Sequence, residues 1–134
     1  MEIARLWEED GVTIPPPYKR HLKVIFSPDK KNVEEISFNQ ALIYPNSKTD
    51  YHEHDRPELI LVVAGRGVSV CNGVEIPIEP ETALWIRKGE THQIINTGED
   101  MMKLATVFVP PYKSEELYGS CMDAAKRDTG EQED

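Results

Sequence analysis

Between Arg20 and Val109 the chain never runs far without a break, and that most limits what it can become. SPDKKN (27–32), PNSKTD (45–50), Gly65 with Gly67, Asn72-Gly73 and RKGE (87–90) all read as turns. The runs between them are short and rich in β-branched and aromatic residues. They are HLKVIF (21–26), VEEISFNQALIY (33–44), ELILVVA (58–64), VSVC (68–71), VEIPI (74–78), TALWI (82–86), HQIIN (92–96) and KLATVFV (103–109). Short strands punctuated at such intervals predict an all-β sandwich or barrel. Asn72-Gly73 predicts a two-residue hairpin, because both positions tolerate positive φ. ELILVVA is apolar at every position after its glutamate, which predicts a strand covered on both faces.

The flanks read differently. Pro15-Pro16-Pro17 closes an extended N-terminal arm, 1–19, before a barrel at 20–111. A short helix is predicted over 112–128. Ser114 is placed to cap it, Glu115 and Glu116 suit its first turn, and Lys126 and Arg127 suit its last. Leu117, Cys121 and Ala125 recur at four-residue spacing and mark its buried stripe. The acidic tail, 129–134, is expected to be unstructured.

A chain of 134 residues suits one domain with a real core. Its net charge of -9 argues against a nucleic-acid partner, which needs clustered Lys and Arg. Part of that acidity is terminal, at Glu8-Glu9-Asp10 and at Glu131, Glu133 and Asp134. Cys71 and Cys121 lack the spacing of a disulfide scaffold and read as reduced thiols. The N-terminus lacks the features of a signal peptide, and no apolar run reaches membrane-spanning length. A cytoplasmic protein without a membrane partner is expected.

Chemistry concentrates in YHEHDRPELILVVAGRG (51–67). Residues two apart on a strand share a face, so His52 and His54 project together, and Glu58 has the same parity. Two imidazoles and a carboxylate facing a barrel interior are costly unless something holds them, and a divalent metal would. A solvated pair of surface histidines beside a turn fits the same spacing, so both readings stand at this point. RKGETHQIIN (87–96) adds His92, three residues after Gly89 and four before Asn96. Three of the four histidines thus lie at strand starts beside turns. His21, the fourth, has no partner motif.

These two segments resemble the motifs of the cupin family. The first, G-x5-H-x-H-x3/4-E-x6-G, is met by His52, His54, Glu58 and Gly65; the second, G-x5-P-x-G-x2-H-x3-N, is met by Gly89, His92 and Asn96. The resemblance spans roughly Phe38 to Val109. Asn46 and Glu81 stand at the leading glycines and Arg87 at the proline. Asn tolerates the positive φ such turns need; Glu81 is less easily accommodated.

The resemblance implies a double-stranded β-helix, or jelly-roll, barrel. It implies that His52, His54, Glu58 and His92 hold one divalent transition metal: iron, manganese, nickel, copper or zinc. A set without thiolates argues against a closed structural zinc, and four ligands leave coordination positions open. The family includes dioxygenases, decarboxylases, isomerases, lyases and binding modules. The expectation is therefore an oxygenase-like enzyme, an oxidoreductase, acting on a small polar or carboxylate-bearing molecule. An isomerase or decarboxylase and a non-catalytic binding module are the alternatives. Arg87, Tyr44 and His21 are candidate substrate contacts, and no motif position supplies a general acid or base. Trp85, Phe108, Met101 and Met102 are expected in the core, and a homodimer paired through sheet edges is expected.

Overall fold

Alternation of inward and outward side chains decides the architecture. The computed structural model describes the backbone of residues 1–133 and the side chains of 1–129. Nine strands form in order: β1 (Val12–Ile14), β2 (Arg20–Phe26), β3 (Ser37–Ile43), β4 (Glu58–Ala64), β5 (Gly67–Cys71), β6 (Val74–Ile78), β7 (Ala83–Ile86), β8 (His92–Asn96) and β9 (Met102–Phe108). They are followed by one helix, α1 (Ser114–Glu133). Six strands make one antiparallel sheet in the order β1-β2-β3-β9-β4-β7, and β6-β5-β8 make the other. The inner residues of the two sheets, Leu22, Ala41, Ile43, Ile60, Val62, Ile78, Ile86, Ile94, Met102 and Leu104, pack into one core. This is the expected all-β jelly roll.

Turn chemistry fits the observed backbone. Asn72 and Gly73 have φ of 48° and 81° and join β5 to β6 as the expected hairpin. The segment 47–52 runs beside β8 as an irregular extra strand, with Lys48 opposite Ile95 and His52 opposite His92.

Three expectations need correction. β4 is buried on one face only: Glu58, Ile60 and Val62 point inward, while Leu59, Leu61 and Val63 are 37%, 41% and 46% exposed. Consecutive apolar residues predict two covered faces, but the outer one is left exposed by the described residues. Trp85 is likewise 52% exposed on β7, whereas Phe108 and Met102 are in the core as expected. The N-terminal arm is more than an extended segment, because Val12–Ile14 pairs with β2 as an edge strand.

The helix starts at Ser114 but continues past 128 to Glu133, so Lys126 and Arg127 do not fall in its last turn. Asp134 and the side chains from 130 onward lie outside the described residues, as does that part of the expected acidic tail. Ser114 does not cap a helix N–H. Glu116 Oε1 instead accepts the Lys113 N–H at 2.8 Å, and Asp29, from the turn after β2, accepts the Ser114 N–H at 3.0 Å. Of the predicted stripe, Ala125 is buried and Cys121 packs beside it, together with Ala124 and Tyr118, while Leu117 is half-buried and lines the cavity. Tyr118 Oη accepts the Val24 N–H at 2.7 Å, and Tyr18 donates to Asp128. These contacts hold α1 against β2 and the segment before it, with Leu117, Ser120 and Cys121 on the cavity wall. No described helix is long and apolar enough to cross a membrane.

Candidate metal centre

The site begins with a backbone pair. His52 N–H donates to the His92 carbonyl at 3.0 Å and His92 N–H to the His52 carbonyl at 2.8 Å. Residues directly opposite in such a pair send their side chains to the same side. His54 follows by strand parity, and its carbonyl accepts the Gly89 N–H at 3.0 Å, tying the two motifs together. One ligand nitrogen from each of His52, His54 and His92 lies within 4.8 Å of the others. Glu58, at the start of β4, joins from the side. Its Oε1 is 3.2 Å from His92 Nε2 and 3.5 Å from His54 Nε2.

Surrounding carbonyls orient the rings. His52 Nδ1 is 2.7 Å from the Asp50 carbonyl and His92 Nδ1 is 2.9 Å from the Glu90 carbonyl. A carbonyl only accepts, so each Nδ1 carries a proton; His52 Nε2 then turns a lone pair inward, while His92 Nε2 donates to the Glu58 carboxylate and would exchange that proton for a cation. His52 Nε2 and His54 Nε2 are 2.8 Å apart, a separation that needs a proton or a cation between them. A divalent transition metal meets that requirement, and these donors fit one.

Electrostatics divide the cluster. Burial, with further lowering from neighbouring His54 and His92, depresses the His52 pKa to about 4, so this imidazole is a neutral donor at pH 7. At His92 burial also disfavours the charge, but the hydrogen bond to Glu58 outweighs it and raises the pKa. Burial pushes Glu58 upward, yet the hydrogen bonds from His54 and His92 hold it at about 2, a carboxylate throughout the neutral range. Phe108 packs edge-on against His54 at 4.8 Å between ring centroids.

The cluster opens into a cavity of about 80 Å³ between the sheets. Arg20, Asn39, Asp50, Thr106, Ser120 and Cys121 are among its other polar lining residues. The three candidate contacts from the sequence lie elsewhere. Arg87 is exposed in the turn before β8. Tyr44 stacks under Lys19, with Nζ 4.4 Å from the ring centre. His21 points outward, its Nδ1 2.9 Å from Thr13 Oγ1. Its neighbour Arg20 is the inward one, sharing parity with Leu22 and Val24, and that parity could have singled it out. Asn39 had the same signal on the face of Ser37, Ala41 and Ile43. Asn96 is structural: its side chain donates to the Ile43 and Asp100 carbonyls and accepts the Gly98 N–H.

A two-sheet jelly roll with a triad of imidazoles and a carboxylate inside one end defines a class of barrel built around a metal-type site. Residues 40–108 match the cupin domain, and the chain belongs to the cupin family. It is 29% identical over 83 residues to the oxalate-binding protein of Thermotoga maritima, covering 57% of this chain and 69% of that protein. It is 29% identical over 85 residues to the L-ectoine synthase of Mycobacterium sp. strain KMS, covering 62% and 64%. The auxin-binding protein T85 of Nicotiana tabacum is 29% identical over 93 residues, covering 60% of this chain and only 50% of that protein. The matched region is thus half of the tobacco protein and under two thirds of the synthase. Among solved structures, ectoine synthase from P. lautus superposes with a TM-score of 0.75 at 20% identity, covering 90% of this chain and 86% of that one. A predicted oxalate decarboxylase from Thermotoga maritima gives 0.74 at 22%, covering 81% and 99%. At these identities the structures establish the fold alone.

Proposed function

We propose that this cupin is a metal-dependent enzyme acting on a small polar or carboxylate-bearing molecule, with His52, His54, His92 and Glu58 holding one divalent transition metal. The observation that carries the reading is the inward-facing donor set: two imidazoles locked by backbone carbonyls, a third 2.8 Å from the first, and a buried carboxylate beside them. A bound metal would supply a Lewis acid with open coordination positions and, if redox-active, a centre for oxygen chemistry. The chain supplies the rest. Asp50 and Glu90 carbonyls hold the rings in register, Phe108 packs edge-on against His54, and Leu117, Ser120 and Cys121 of α1 form part of the cavity wall. We take the reaction to be oxygenase-like. The names of the relatives favour a second reading: oxalate binding and ectoine synthesis point to an acid-handling site that works without oxygen, as an isomerase, decarboxylase or binding module would.

The test is to strip the protein and reload it separately with ferrous iron, manganese, nickel and zinc. Each form is offered enols, diketones, thiols, hydroxy acids and sugar phosphates. Oxygen uptake confined to the iron or nickel form supports the oxygenase. Turnover without oxygen, in the zinc or manganese form, supports the isomerase or decarboxylase. Melting shifts without product from any metal leave the binding module.

We further propose a cytoplasmic homodimer. In register across the outer face of the large sheet stand Trp85, Leu59, Val107, Phe38 and Phe26, an apolar row crossing five strands and ending at edge strand β7. A second copy would cover it.

A further inference from the structure

The wall of the cavity away from the histidines carries two polar groups that the fold leaves only partly answered. We infer that Arg20 and Asn39 are the substrate-recognition residues, and that they select a small monocarboxylate bearing a hydroxyl or similar hydrogen-bonding group. This rests on the reading that the cavity holds substrate beside the metal.

Arg20 is 3% exposed and lines the cavity. A buried guanidinium needs good partners for its five donors. It donates to the Tyr18 carbonyl at 3.2 Å and to Cys121 Sγ at 3.1 Å, and a thiol is a weak acceptor. Its ion pair with Asp50 spans 3.5 Å, longer than the roughly 2.7–2.9 Å of a charge-assisted hydrogen bond. The guanidinium is therefore held in place but loosely paired, which leaves it capacity for a ligand's carboxylate.

Asn39 is 2% exposed on the same cavity wall. Its Nδ2 donates to Thr106 Oγ1 at 3.2 Å, while its Oδ1 is buried with no partner among the described residues. With the carboxamide reversed, Thr106 would donate to Oδ1 and the amide nitrogen would be the orphan instead. Either way one polar atom is buried and unanswered, where Leu22 and Ala41 show that an apolar side chain would fit the same face. A buried polar group without a partner calls for one, and a ligand group is the missing partner.

Charge and size set the class. Asp50 and Glu58 are the carboxylates on the described cavity wall, so a divalent metal together with Arg20 leaves an excess of positive charge, suited to a monoanion. A water needs roughly 10–15 Å³ of such space, so the cavity of about 80 Å³ takes a ligand of about half a dozen non-hydrogen atoms.

The test is calorimetric titration with three probes: glycolate, its neutral counterpart glycolamide, and acetate, which lacks the hydroxyl. The wild-type protein loaded with manganese is expected to prefer glycolate to glycolamide at least tenfold and to acetate several-fold. Arg20→Gln should bring the first ratio close to one. Asn39→Leu should erase the second while keeping the first. Because Arg20 also holds α1, Arg20→Lys is measured alongside; it keeps the charge, should fold, and should show an intermediate first ratio. A wild-type protein that fails to bind glycolate, or shows no preference over glycolamide, overturns the inference. So do unchanged ratios in the folded variants, which would make both residues purely structural. Metal content is measured for every sample, and the ratios are also read in metal-free protein. Absence of metal from the reloaded wild type strikes the metal-centre reading, whereas normal metal with no acid selectivity strikes only this inference.

Discussion

Glu81 stands where the cupin pattern has glycine, and its φ is 67°. That left-handed conformation brings Cβ against the carbonyl and costs a non-glycine residue roughly 1–2 kcal/mol. Glu81→Gly should therefore raise stability by about 0.5–1 kcal/mol, part of the relief being lost to the freer unfolded chain. A urea melt with the midpoint unchanged or lowered would contradict this. Asn46, the other substituted glycine, has φ of 62° but is a residue type that tolerates it, so Asn46→Gly should change little. At the metal-type site, His54 has no replacement within the cluster. His54→Ala should remove most of the metal, measured per chain by elemental analysis, with the fold kept. Full metal retention would place the site elsewhere.

Elements are joined here by a few polar ties, and α1 shows what they contribute. Asp29 reaches from the turn after β2 to the first residue of the helix and also accepts from Ser27 Oγ at 2.6 Å. Slight burial raises its pKa, but the hydrogen bonds from Ser114 and Ser27 outweigh this and hold it at about 2, below the ordinary 3.8. A carboxylate depressed in the folded state contributes stability above its unfolded pKa and loses it as pH falls through the folded one. Asp29→Ala should thus cost about 1 kcal/mol at pH 7, as loss of a helix cap does. Its gap from wild type should close between about pH 4 and pH 2. A gap independent of pH in denaturant titrations would mean that Asp29 acts through something other than its charge.

The molecule as a whole has enough core to stand without metal, because Ile14, Ile43, Val62 and Met102 are fully buried and line no part of the histidine cavity. Chelation should leave the β-rich circular dichroism spectrum intact and lower the melting temperature only in part. Collapse to a coil spectrum would show a structural ion instead. Its exposed apolar face gives a second expectation at this scale. Light scattering at micromolar concentration should give the mass of two chains, and Leu61→Glu, a charge set in that face, should give one. A single-chain mass for wild type would refute the pairing.

Much of this was legible in the sequence, for a physical reason: turn chemistry and period-two alternation act within a few residues. The strands from β2 to β9, the Asn72-Gly73 hairpin and the buried stripe of α1 all follow from such local patterns. Strand parity likewise puts His52, His54 and Glu58 on one face, whereas the joining of His92 to them is what the resemblance to the cupin motifs implied. What lay beyond reach depends on which surfaces meet. ELILVVA is greasy on both faces, but only packing reveals that the described residues leave Leu59, Leu61 and Val63 exposed. Parity along β2 separates Arg20 from its neighbour His21, but that the inward arginine meets Cys121 of α1 and lines the cavity is decided by tertiary packing. Asp29 capping a helix that begins at Ser114 is a contact 85 residues apart in sequence, set by closure of the barrel and not by any local preference.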